Sequence, residues 1–373
     1  MKKIAIMGGG ASGMVCAILL ARRGFSVTVL ERGERLGRKL AQTGNGQGNL
    51  TNTHMGAEHY FSDDREKVAR LLSRFGYEDT VRFFSELGGA YLPDARGRVY
   101  PASRQASALT DLLRRELKQL GVNICLSAQV RSIAYDREFL IEWGSGQMNA
   151  DAVVLAAGGK AAKHLGTDGT AYALATHFGH TMSEVSPVIV QLRCDPAAVR
   201  GLKGIRVDAE IAVNNYRTRG DVLFTESGVS GDAVFRASSH CAAGDTLFIN
   251  FLPDLTREQI LDALKKGEGE EKLLCLVNNG LGRFLNKQAK SNGELCKLLQ
   301  SYPLTVTGTL GFDYAQATRG GIPLSETDEH LMSTKQKGLY FAGEILNVDG
   351  ECGGYNLQWA FTSAVVVAES IQQ

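Results

Sequence analysis

The sequence predicts an α/β protein: a discontinuous Rossmann-type dinucleotide-binding domain with an inserted β-barrel-like unit and a small helical cap. Three observations predict it. Near the N-terminus a glycine-rich turn joins a short apolar strand to an apolar helix. Near the C-terminus a double glycine runs into a second apolar helix. Between them the pattern changes to a run of strands followed by a charged helical stretch, which is how an insertion reads.

Ile4 to Met7 forms the opening strand, and Gly8-Gly9-Gly10-Ala11-Ser12-Gly13 follows it as GxGxxG. Met14 to Arg23 is helical, with Gly24 at its C′ position. Phe25 to Leu30 is the second strand, closed by Glu31, which stands 18 positions past Gly13. The dinucleotide fingerprint places its acid about 20 residues on. Each part has a task. Gly8 makes the tight turn, Gly10 admits a pyrophosphate to the backbone, and Gly13 lets helix and strand pack closely. The helix N-terminus, Ala11 and Ser12 with it, offers N–H groups and dipole to the phosphates. Glu31 accepts hydrogen bonds from ribose hydroxyls.

Arg35 to Asn52 reads RLGRKLAQTGNGQGNLTN, a basic, glycine-rich excursion where a plain NAD domain continues into its next helix. It suggests a longer ligand reaching away from the first strand, as FAD does. At the far end, Gly338 to Glu344 is a buried strand ending in Gly343-Glu344, an acid placed for a ribityl chain. Gly353-Gly354-Tyr355-Asn356 then leads into a helix from Leu357 to Ile371. A double glycine before a helix N-terminus stabilises negative charge, and here it suits the N1 edge of a reduced flavin.

Composition narrows the class. The chain has 373 residues, more than one core usually covers, so two or three folding units are expected. The balance of 41 basic and 40 acidic residues points to neither nucleic acid nor an anionic membrane as partner. No stretch approaches the ~18 uncharged apolar residues of a spanning helix. The seven cysteines are odd in number and widely spaced, without CxxC, which argues for reduced thiols, no zinc ribbon and a cytoplasmic protein. No metal site is expected, and His177 and His180 read as structural. The His240–Cys241 neighbours have no acyl-transfer context. Lys265-Lys266 and Glu268, Glu270 and Glu271 read as a solvated connection.

In the middle, Gln105 to Leu120 is an amphipathic helix stopped by Gly121. Asn123 to Gly159 reads as short strands ending in Ala156-Ala157-Gly158-Gly159. Strand-like runs then fall at 188–192, 205–213, 222–225 and 246–251, helical pattern at 257–299, and a last strand at 304–309. Arg319-Gly320-Gly321-Ile322-Pro323 leads back to the first fold. The expected boundaries are 1–187 with 316–373 for the FAD-binding domain, 188–252 with 303–315 for the β substrate domain, and 253–302 for the helical cap. The insert is expected to cover one face of the isoalloxazine.

Together GGGASGM, GRKLAQTGNGQGNLTN, GRVYPAS (97–103), LFTESGVSG (223–231) and GLYFAGEILNVDGECGGYNLQWAF resemble the BaiN-like family of bacterial FAD-dependent oxidoreductases. That family includes aminoacetone oxidase and lies among the glutathione-reductase-like flavoproteins. The resemblance covers nearly the whole chain. It implies FAD contacts at Gly8, Gly10, Ala11, Ser12, Gly13, Glu31, Arg32, Lys39, Thr43, Gly44 and Asn49. It further implies contacts at Val130 (adenine), at Ala157 and Gly158 (a second FAD turn), and at Gly343, Glu344, Gly354, Tyr355, Asn356 and Leu357. On the substrate side it points to Tyr100, Ser103, Glu226, Cys352 and Tyr355. The chain departs from the family pattern at Gln47 and Gly48 (where Arg and Cys are usual), at Glu226 (His), at Asp232 (Pro) and at Asn347 (Asp).

The implied activity is hydride transfer between flavin N5 and a small organic substrate, foremost an NAD(P)H-linked reduction of an activated C=C or C=O bond. There is no second GxGxxG with a strand before it, so NAD(P)H is expected to bind transiently in the substrate cleft. Three alternatives stay open: an oxygen-using amine oxidase of the aminoacetone-oxidase type, a flavin-dependent RNA-modifying enzyme, and a non-catalytic flavin sensor. No protein partner is expected.

Overall fold

Strands that are apolar on both faces need cover on both faces, and a parallel sheet between helices supplies it. Ile4, Ala5, Ile6, Val29, Val153 and Val154 are all fully buried. The five strands lie in the order Leu339–Phe341, Ala152–Leu155, Lys3–Met7, Ser26–Leu30 and Asn123–Cys125. All the pairings are parallel, with Ile4 facing Val27 on one side and Ala152 on the other. The computed structural model describes all 373 residues.

The first helix, Ala11–Arg22, starts three residues before the expected Met14, because Gly10 is extended and acts as its N-cap. Its end is a Schellman turn. Gly24, at φ +85°, donates to the Ala21 carbonyl (3.0 Å), and Phe25 donates to the Leu20 carbonyl (3.2 Å). The helix Ala106–Gln119 ends the same way through Gly121 and Val122. A β-carbon on Gly13 would stand 1.9 Å from the Gly8 carbonyl oxygen, so only glycine lets this helix lie flush on the turn.

The C-terminal helix, Tyr355–Ser370, is buried on almost every side and joins the first helix in one core. Gly343 lies between the two helices. A β-carbon there would sit 2.6 Å from Ser12 Oγ. Its amide donates to Ser363 Oγ (2.8 Å), and its carbonyl accepts from Trp359 Nε1 (3.2 Å).

Smaller sheets flank this layer. Val130–Tyr135, Phe139–Trp143 and Gly146–Ala150 form an antiparallel meander, and Thr51–Asn52, Arg98–Pro101 and Tyr91–Pro93 form a second sheet. Tyr60–Ser62 pairs with Val348–Gly350, tying the early loop to the C-terminal segment.

The chain forms two compact units, Met1–Ser186 with Ala317–Gln373, and Pro187–Gln316. The second is a closed antiparallel barrel of six strands, in the order Leu192–Cys194, Gly228–Ser230, Tyr216–Phe224, Arg206–Val213, Thr246–Asn250 and Tyr302–Thr309. The expected strand at 188–192 is interrupted at Ile189 (φ +53°), so the barrel strand begins only at Leu192. The helices Arg257–Lys265, Asn279–Gln288 and Asn292–Gln300 place Ile260, Leu264, Leu281, Leu285, Leu295 and Leu299 in the barrel's own core. The segment expected as a separate cap is therefore part of the barrel unit. Helices this short bury their apolar stripes only against another element. The connection from Lys265 to Glu271 is almost entirely exposed. No helix is long and apolar enough to cross a membrane.

Changing Gly13 to Ala should destabilise the protein by about 1–3 kcal/mol or more through forced separation of helix and strand. Urea denaturation of the two proteins measures this, and equal midpoints would show that the turn yields freely.

Candidate cofactor and substrate site

The first turn is built as an anion cradle. Its helix has no side-chain cap and no acid in its first turn, so its leading amides remain for an external acceptor. Gly8 (φ +102°) packs so tightly that a β-carbon would lie 2.5 Å from the Ala156 carbonyl. A β-carbon on Gly10 would meet nothing within 4 Å. The open side of the turn is thus over Gly10 and the uncapped amides, which is where a diphosphate fits. Glu31 sits at the end of the second strand. Its two carboxylate oxygens accept the amides of Gly9 and Gly33, each at 2.7 Å. This fixes the carboxylate beside the turn, and each oxygen keeps a lone pair for a hydroxyl.

Residues expected around the rest of a dinucleotide gather on the same unit. Ala128 donates to the Glu31 carbonyl (2.8 Å), which brings Val130, at the start of the meander's edge strand, beside the second strand. Arg32 pairs with Asp168 at 2.5 Å. Burial works to raise the Asp168 carboxyl, but bonds from Arg32 and Thr170 hold it down at about 2. The Ala157-Gly158-Gly159 turn is held by Thr318, whose Oγ accepts the amides of Lys160 and Ala161 (2.8 and 2.9 Å).

The basic loop meets the C-terminal strand end directly. Lys39 Nζ lies 2.7 Å from Glu344 Oε2, and Glu344 Oε1 accepts the Thr318 amide at 2.7 Å. Thr43 and Gly44 lie in the folded turn that follows, closed by the Gly48 amide on the Thr43 carbonyl (2.9 Å). Asn49 links this loop to the double glycine, donating to the Thr51 carbonyl (3.1 Å) and accepting the Gly354 amide (3.0 Å). Gly354 stands at φ +102°, and a β-carbon there would fall 2.5 Å from the Thr51 carbonyl oxygen. Asn356 closes the turn with two bonds to the Gly350 backbone (2.7 and 3.0 Å). Leu357 is half-buried against the core. Like the first helix, this one begins without a side-chain cap or an acid.

Of the five substrate-side residues, four belong to this unit. Tyr100 is 5% exposed and packs close to Gly44. Burial pushes its phenol above the ordinary tyrosine value, Arg98 and Arg104 pull against that, and Asp94 and Cys352 add to it. Cys352 is half-buried in the turn before the C-terminal helix. Ser103 is exposed on the turn that follows. Tyr355 stacks on His59 (4.5 Å between centroids), which in turn binds Glu351 (3.0 Å). The Tyr355 hydroxyl donates to the His54 carbonyl (3.2 Å). Glu226 belongs to the barrel unit, where its carboxylate is largely exposed and bound to Lys203 at 2.9 Å.

Sequence reasoning missed the pair of a half-buried Arg319 and a buried Asp349. Two guanidinium nitrogens reach the carboxylate (2.8 and 3.1 Å), and the guanidinium lies 3.9 Å over the Phe61 ring. Asp349 is fully buried; burial raises its carboxyl above the ordinary value and Arg319 opposes the rise. The VDG motif held a signal, since an acid inside an apolar strand requires a partner. The His180 ring is hydrogen-bonded to Glu326 (2.8 Å) and Ser333 (2.6 Å). His240 stacks on Tyr216 at 3.6 Å, and burial pushes the Cys241 thiol up to about 12, away from thiolate chemistry.

Residues 2–370 match the family model described as HI0933-like protein Rossmann domain. The chain is 35% identical to the 3-dehydro-bile acid delta(4,6)-reductase of Clostridium scindens, over 99% of both chains. It is 29% identical to the ribosomal RNA dihydrouridine synthase of Haemophilus influenzae, over 99% of this chain and 98% of that one. In fold it resembles the 3-ketosteroid delta1-dehydrogenase of Sterolibacterium denitrificans (TM-score 0.56, 13% identity, 99% of both chains).

Replacing Arg319 by Met should remove about 3 kcal/mol at neutral pH, by leaving a buried carboxylate alone. A carboxyl whose folded pKa is raised binds its proton more tightly when folded, so its contribution to stability falls as pH climbs from about 4 upward. The variant's deficit should therefore shrink as pH is lowered toward 4. Urea midpoints across that range measure it, and a deficit that ignores pH would sink this account.

Proposed function

Since the chain belongs to the HI0933-like protein Rossmann domain family and is a flavin-dependent oxidoreductase, we propose that it reduces a C=C bond conjugated to a carbonyl, with FAD resident and NAD(P)H as a transient donor. The observation that carries this is chemical. A 3-dehydro-bile acid delta(4,6)-reductase and a dihydrouridine synthase, both similar over nearly the whole chain, share saturation of a C=C bond in conjugation with a carbonyl.

Bound in this site, FAD supplies a two-electron carrier that takes up hydride from one molecule and delivers it to another. The chain's residues do the rest. The amides at Ala11 and Ser12 and the open face of Gly10 would hold the diphosphate, and Glu31 would orient a ribose. The Lys39–Glu344 pair, anchored by the Thr318 amide, would set a charged wall beside the ribityl segment. The uncapped N-terminus behind Gly353-Gly354 would favour negative charge on the pyrimidine edge of a flavin held there.

Hydride addition to the β-carbon leaves a proton to be supplied at the α-carbon. Tyr100 is the donor in this reading: its buried phenol keeps its proton at neutral pH, and solvent restores it afterwards. A second reading has a specific observation behind it, the dihydrouridine synthase relative. There the acceptor is a uracil ring in RNA, with the same conjugated bond.

Anaerobic addition of NADPH or NADH to the yellow protein should bleach the oxidised-flavin band, and a cyclic enone should restore it. A uridine-containing transcript restoring the colour faster than the enone would favour the second reading. Bleaching by small amines and not by nucleotides would replace the proposal with an oxidase. Tyr100→Phe should slow enone-driven reoxidation by about 100-fold or more while leaving the bleaching step unchanged. An unchanged reoxidation rate would remove Tyr100 as the donor.

A further inference from the structure

Tyr100 carries an arginine against its ring on each of two approaches, and the two are held differently. Arg98, 5.9 Å from the ring centroid, is neutralised by Asp94 at 2.7 Å. Arg104 lies closer, 4.2 Å over the ring, and has no carboxylate within ion-pair distance. Its only side-chain hydrogen bond is from Nη1 to the Gln47 amide oxygen, at 3.3 Å. The backbone there is unusual as well. Arg104 stands at φ +51°, a conformation that residues other than Gly, Asn and Asp seldom adopt. Its amide donates to the Pro101 carbonyl (2.8 Å), and the Ala106 amide donates to the Gly46 carbonyl (2.8 Å). These two bonds fix the turn against the glycine loop. A left-handed turn, an aromatic face and one amide oxygen thus hold a guanidinium in place beside Tyr100, with its charge unanswered and its surface exposed.

An arginine held on an aromatic face keeps its planar fork of donors ready, and that fork matches the two oxygens of a carboxylate or phosphate. We propose that Arg104 is the substrate-side oxyanion anchor, gripping a carboxylate or phosphate of the molecule that enters beside Tyr100. The inference rests on the flavin-reductase reading above and deepens it. The oxyanion has two sources consistent with that reading: a carboxylate on the acceptor itself, or a phosphate of the nicotinamide nucleotide.

The test uses the FAD-loaded protein and Arg104→Asn, since asparagine tolerates the left-handed turn, with Arg104→Lys as the charge-keeping control. Calorimetric titration with inorganic pyrophosphate needs no turnover. Wild type should bind it, Arg104→Asn should bind about 10- to 100-fold more weakly, and the lysine variant should fall between. Rapid-mixing kinetics then separate the sources. If the phosphate is gripped, the Kd for NADPH rises by that factor in Arg104→Asn while the limiting bleaching rate stays within twofold. If the acceptor's carboxylate is gripped, the KM for an enone acid rises and that for its methyl ester does not. Pyrophosphate binding that is absent in wild type, or equal in Arg104→Asn, overturns the proposal, as does a folded Arg104→Asn that no longer retains FAD. Failure of the reductase reading looks different: pyrophosphate still discriminates the variants, but no nucleotide bleaches either protein.

Discussion

The larger unit depends on one close approach, the Gly13 position of the first helix against the carbonyl of Gly8. It lets the helix start immediately after the strand, with its uncapped amides facing the open side of the turn. It also sets the depth at which the C-terminal helix can pack, because Ser12, one residue earlier, is the group that Gly343 touches. Two segments more than 300 residues apart in sequence are thereby locked into one core (the strand end carrying Glu344 and the glycine turn at the N-terminus).

That arrangement divides the work between backbone and side chains. The parts assigned to the cofactor are mostly amides, carbonyls and glycine gaps: the turn at Gly8 to Gly13, the Thr318-held turn at Gly158, and the double glycine at Gly353. The parts assigned to the substrate are side chains on short strands and turns: Tyr100, Cys352 and Arg104. A backbone site survives substitution wherever the turn survives, while a side-chain site changes with one replacement. Relatives at 29–35% identity can therefore share a cofactor cradle and act on molecules as different as their names say.

The parallel sheet was legible because its signals are local. A run such as Ile4-Ala5-Ile6-Met7, a glycine turn and a closing Gly24 each act within a few residues, and the two Schellman ends fall at Gly24 and Gly121 as their sequence indicates. The insert was legible as a β-barrel-like unit, but not in which strands close it. Its closure pairs Leu192 with Thr309, and no periodicity carries a partner that far away. Helix starts slipped where a glycine served as N-cap, as at Gly10. Among candidate side chains, proximity in motif was informative and orientation was not. Tyr355 does head the C-terminal helix, and its hydroxyl donates to the His54 carbonyl while its ring stacks on His59. The Arg319–Asp349 pair was out of reach for a related reason: the acid announces a need for a partner, and the fold chooses which arginine meets it.

The charge pattern around Tyr100 follows from the same division. Burial raises the pKa of the Tyr100 phenol, and the cations beside its ring pull the other way. Arg98 is neutralised by Asp94, which removes most of one cation's pull, and the ring itself is covered. Arg104 acts against the phenol as long as its charge stands alone. Once an oxyanion sits on Arg104, that pull is cancelled as well, and the phenol is a weaker acid in the occupied site than in the empty one. An anion-gripping Arg104 would therefore do more than place a substrate: it would remove the remaining cationic pull on Tyr100 in the complexes where a proton has to be delivered.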